Sequence, residues 1–151
     1  MDKWRHLLIS GEYADRKSIV SGLTLDQALA RPSAGSHSIY EELWHATRWQ
    51  NIVVGRDEEL YGKWERGETY PPLPAADEGE WEALVREFLS GLERAMAWTE
   101  PEKLTMEVDP DFTMADVLRS LAVHTSYHMG KIVAIRQVIG AWPAASPANR
   151  G

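Results

Sequence analysis

A seam near the C-terminal end constrains this chain more than any other feature. Leu118, Leu121, Thr125, His128, Ile132, Ile135 and Ile139 follow one another in alternating steps of three and four. That spacing sets one side of an α-helix against neighbouring helices, whereas a strand would need a period of two. Thr113 is placed to cap this helix and Gly140 to end it. A protein organised around such a seam needs partner helices.

The rest of the sequence supplies three. One is predicted from about Lys3 to Gly22, with Trp4, Leu7, Leu8 and Ile19 as its apolar positions and Gly11, Ser18 and Ser21 weakening it. LTLDQALARPSAG then reads as a turn, with room for a short helix after Thr24, broken by Pro32 and Gly35. The next long helix starts at Ser38, because Ser38 and Glu41 fit a capping box, and runs to about Gly62. Residues 62–79, rich in glycine and proline, form a long loop of the kind that is often functional or mobile. A further helix opens near Asp77 with Trp81, Leu84, Val85, Phe88, Leu89, Leu92, Ala95 and Met96 at helical spacing; Pro101 ends it, and EKLTMEVDPDF links it to the last. The expected fold is all-α, an antiparallel four-helix bundle. It forms one domain over 1–142 with a tail over 143–151.

Composition narrows the partners. A formal charge of -7 and the absence of any Lys/Arg cluster argue against nucleic acid. With no cysteine there is no disulfide, no thiolate ligand and no Cys nucleophile, so a metal would need N and O donors. No stretch approaches a membrane span, and MDKWRHLLISGEYA lacks a signal-peptide core, so a cytoplasmic protein is the default expectation.

The histidines are the unusual residues. His128 occupies the seam itself, and His124, one turn earlier, lies about 40° away around the axis. Leu or Ile would pack better at these positions. Each ring taken alone is explained by a hydrogen bond in the core. As a pair, two imidazoles on one inner face cost a few kcal/mol unless something uses both, as a metal ion does. ELWHATRW adds His45 on the inner side of the second long helix, where bundle ligands meet. His6 and His37 lack this setting and read as solvated. Three imidazoles without a carboxylate leave a divalent ion its full charge and an open position. Thr125 follows His124 where a zincin has its glutamate base, which argues against such a protease.

SIYEELWHATRW, followed some distance on by HTSYHMGKIVAIRQVIGAWP, resembles the DinB-like (damage-inducible, YfiT-like) superfamily of four-helix metalloenzymes. The resemblance follows the element order of nearly the whole chain. It implies one divalent metal ion, zinc or nickel, held by His45, His124 and His128, and a homodimer. It further implies S-transfer from a low-molecular-weight thiol to a small-molecule substrate. The sequence departs from the family's commoner motif ending at Met129 and Lys131. The first change should matter little if that side faces outward.

The remaining candidates carry two readings each. Lys131 falls near His124 around the axis; it either packs its stem and exposes its head or docks an anionic thiol, with Arg48 as the other candidate cation. Glu41 is either the capping partner of Ser38 or a base or fourth ligand. Tyr127, Trp44 and Trp49 are either bundle packing or pocket walls. Three functions therefore stand side by side. The first is a metal-dependent thiol S-transferase, and the second a metal-dependent hydrolase in which Glu41 or Lys131 assists proton transfer. The third is a metal-stabilised bundle that binds a small molecule without catalysis.

Overall fold

The computed structural model describes residues 2–143. In chain order the elements are α1 (Lys3–Arg5), a π turn (His6–Ser10), α2 (Arg16–Val20), α3 (Leu25–Leu29), α4 (Ile39–Gly55), α5 (Glu58–Glu65), α6 (Glu78–Met96), α7 (Pro101–Leu104), β1 (Glu107–Asp109), β2 (Phe112–Thr113) and α8 (Met114–Val138). The fold is mostly helical, with one antiparallel hairpin of β1 and β2.

The caps decide where the long helices begin. Ser38 accepts the backbone N–H of Glu41 while the Glu41 carboxylate accepts that of Ser38, and α4 follows. Asp77 starts α6 by accepting from Glu80 N–H. Thr113 and Asp116 form the box that starts α8. The seam of α8 is buried as expected from Leu118 to Ile135, and Ile139 is half-buried just beyond the helix.

Three expected boundaries are corrected. The single helix over 3–22 is two separate pieces, because Gly11 turns at φ 67° and Asp15 caps a new helix at Arg16. A Cβ at position 11 would sit 2.9 Å from the Ala14 carbonyl oxygen, so only glycine suits that turn. The second long helix ends at Gly55 rather than near Gly62, since Arg56 enters the left-handed region and Asp57 caps α5. Pro101 does not terminate α6, which ends at Met96; it stands at the first turn of α7, where a missing N–H costs nothing. The tail expected over 143–151 lies, after Pro143, outside the described residues.

Helix α4 packs against both α6 and α8, and the π turn and α2 contact these same two helices in place of a first long helix. Close approach of α4 and α6 depends on Gly91, whose bare Cα leaves room for the buried Gln50 amide to donate to Phe88 O at 3.2 Å. One apolar cluster gathers Ile19, Val20, Leu43, Trp81, Phe88, Met129 and Ile132; another gathers Leu8, Val54, Ala95, Met114, Leu118 and Leu121. Met129 is 1% exposed, so this departure from the family's motif faces the core and not outward. Arg136, 2% exposed, ties the N-terminal pieces to α8 by donating to the carbonyls of Ser18, Ile19 and Ser21. No helix of the described residues is long and apolar enough to cross a membrane.

Candidate metal centre

His45 projects from α4 and His124 and His128 from α8, where these helices pack together. One ring nitrogen of each lies within 4.8 Å of the others. Each ring has its own setting. His45 donates from Nδ1 to Thr69 O at 2.7 Å, which leaves Nε2 as the lone-pair atom. His128 donates from Nδ1 to Glu42 Oε2 at 2.6 Å and keeps its own Nε2 free. Among the described residues His124 has no partner at Nδ1, and its Nε2 faces the Nε2 of His45 at 3.2 Å.

That last contact tests whether the group suits a cation. Two nitrogens each about 2.0–2.1 Å from a tetrahedral ion lie about 3.3 Å apart, close to the observed separation. Without an ion, one imidazole nitrogen must donate to the other and His124 keeps a buried nitrogen unpaired. The ring charges agree with a ligand role. Burial, with His128 and His45 alongside, pulls His124 down to about 4, and burial also holds His45 below its ordinary value. Both rings are therefore neutral donors near neutral pH.

Glu42 is a site residue that the sequence pattern does not single out. It is 2% exposed, and its Oε1 lies 3.3 Å from His37 Nδ1 and 3.6 Å from Lys131 Nζ. Burial alone would push its carboxyl up; the His128 hydrogen bond and the charges of His128, Lys131 and His37 outweigh that and hold it below the ordinary carboxylate range. A signal existed in the Glu42-x-x-His45 spacing, which places both side chains on one face of α4. Its neighbour Glu41 carries the stronger local signal, the capping box with Ser38.

The loop after α5 closes the site from above. Tyr70 stacks on His45 with ring centroids 4.5 Å apart and on His37 at 3.7 Å. Burial and the nearby Glu42 raise its phenol to about 12. Trp64 packs on His45 and on Trp49. Nothing local in the sequence brings Tyr70 to the histidines, because loop closure does so, whereas Trp64 is carried there by α5. His37, expected to be solvated, is thus half-buried at the edge of the site.

The other singled-out residues fall as follows. Glu41 serves the capping box and pairs with Arg31 at 2.8 Å. Lys131 reaches Glu42 and lies over the Tyr127 ring at 4.9 Å. Arg48 stacks on Trp44 at 4.2 Å and lines a separate cavity with Gln50, Asn51 and Glu87. Tyr127 and Trp49 line an open pocket with Trp64 and His124.

Fold and site together define a helical protein with a three-histidine group that could hold a metal ion. Comparison of sequences places the family. The family model of the DinB superfamily matches residues 11–132, and the chain belongs to that superfamily. Neither curated proteins nor solved structures gave a match.

Proposed function

We propose that the chain is a metal-dependent S-transferase that joins a low-molecular-weight thiol to a small electrophile, with His45, His124 and His128 holding one zinc or nickel ion. The observation that carries this reading is the convergence of the three rings, two of them with Nδ1 already committed to Thr69 O and Glu42. A divalent ion held there supplies the positive charge that lowers the pKa of an incoming thiol. The protein's own groups do the rest. Glu42 fixes the His128 ring and its tautomer. Lys131, 40% exposed at the side chain, can leave Glu42 to meet the carboxylate of an anionic thiol. Trp49, Trp64 and Tyr127 offer apolar walls to the electrophile beside His124.

Hydrolysis is the weaker reading because it needs a free base beside the ion. Glu41 is engaged with Ser38 and Arg31, and Glu42 with His128. In the S-transferase reading the N-terminal pieces complete an antiparallel four-helix frame, and a second copy of the chain is the partner. The test is conjugation of monochlorobimane with bacillithiol, mycothiol or glutathione, using metal-free protein as control. Metal-dependent conjugation with any of the three supports the transferase. Failure with all three, with no thiol-induced change in the spectrum of a cobalt-loaded sample, leaves a non-catalytic binding bundle.

A further inference from the structure

Arg16 carries a charge that no ion pair among the described residues answers. It is only 6% exposed. Its Nη2 donates to Leu7 O at 3.2 Å and to Ser126 Oγ at 2.8 Å, while Nε is buried with no acceptor among the described residues. A guanidinium so withdrawn from water is costly unless its donors are met. Arg16 lines a cavity between the π turn, α2 and α8, beside Gly11. The walls of this cavity are apolar, formed by Leu7, Ile19, Val133 and Trp142. Glu12 also borders it but is 77% exposed at the side chain and paired with His6 at 3.3 Å.

We propose that this cavity binds a small carboxylate carried on an apolar body, the carboxylate meeting Arg16 and the body covered by the walls. A carboxylate suits the site better than a phosphate, whose additional oxygens would be set against Leu7 and Val133 without donors. The site is distinct from the histidine group and does not depend on its metal. Ser126 stands about 200° around α8 from both His124 and His128, so the cavity opens on the opposite side of that helix.

The test is a titration of the isotope-labelled full chain with octanoate, phenylacetate, octanol and inorganic phosphate, following the backbone amide signals of Gly11, Ser126 and Gly130. Saturable shifts with a carboxylate are expected, with octanol and phosphate at least about tenfold weaker, since a charge-assisted hydrogen bond is lost or misplaced. The two carboxylates distinguish a chain-like from a ring-like body. Arg16→Met should weaken the better one at least about tenfold. Because Arg16 also ties Leu7 to Ser126, Gly130→Trp provides an independent variant: Gly130 lines the cavity and a Cβ there meets nothing within 4 Å, so the indole is expected to occupy the cavity with the Arg16 bonds left in place. Octanol binding as tightly as octanoate, unchanged affinity in Gly130→Trp, or no saturable shift with either carboxylate overturns the proposal.

Discussion

Glu42 Oε2 stands 2.6 Å from Nδ1 of His128, and the two side chains are 3% and 4% exposed. A carboxylate so placed fixes which nitrogen of His128 faces inward and makes that nitrogen a better donor. Glu42→Gln keeps the shape and removes the charge. Metal affinity should fall by about 10–100-fold, measured by competition with a chromophoric chelator. Glu41→Gln, one residue earlier, should leave affinity unchanged. Equal losses in the two variants would mean that Glu42 has no special part in the site.

The difference between these neighbours shows what the sequence makes legible. Caps, seams and the three histidines depend on residues a few positions apart, and periodicity exposes them. Ser38, Asp77 and Thr113 each start a helix where expected. The breaks at Gly11 and Arg56 depend on single left-handed residues that a hydrophobic pattern passes over. Tyr70 and Thr69 reach His45 from a loop 24–25 positions away, and only the closed loop shows it. Glu42 lay between these cases. Its spacing to His45 was visible, but its pairing with His128 across 86 residues was not.

Arg136 should matter more for stability than any exposed charge. Its guanidinium donates to four carbonyls, those of Ser18, Ile19, Ser21 and Ala141. Arg136→Met leaves several of these acceptors buried and unmet, at about 1–3 kcal/mol each where water cannot reach them. Urea unfolding should show a loss of at least about 2 kcal/mol. A change within about 0.5 kcal/mol would show that the N-terminal pieces are held by their apolar contacts alone.

Acid should destabilise the metal-free protein well before ordinary carboxylates titrate. His124 falls from 6.5 to about 4 on folding, so between those values the unfolded chain binds more protons and stability rises with pH. Lowering the pH from neutral should therefore reduce the melting temperature from about 6.5 downward until His124 is protonated in both states. Glu42, held below its ordinary 4.5, adds a further loss as pH falls through its folded value. His124→Gln should flatten the first part of the curve. A melting temperature unchanged between about pH 7 and pH 5 would mean that His124 is not buried as described.

Lys131→Ala separates the thiol from the metal. Lys131 makes its ion contact with Glu42 and not with the histidines, so metal content should stay at the wild-type level. Binding of an anionic thiol to the metal-loaded protein should weaken about tenfold, the loss expected for one charge-assisted contact. Calorimetry of the wild-type chain and of Lys131→Ala against bacillithiol reads this directly. Unchanged thiol affinity would remove Lys131 from the docking role.

Metal content of the purified chain and its single alanine variants tests the central claim most directly. If His45, His124 and His128 form one centre, elemental analysis after dialysis should find close to one divalent ion per wild-type chain and a large loss in each variant. Bound metal should also raise the unfolding free energy by about 2.7 kcal/mol at a hundredfold excess over its dissociation constant. Full occupancy retained in His128→Ala, or a wild-type chain that takes up no divalent ion, would contradict the account.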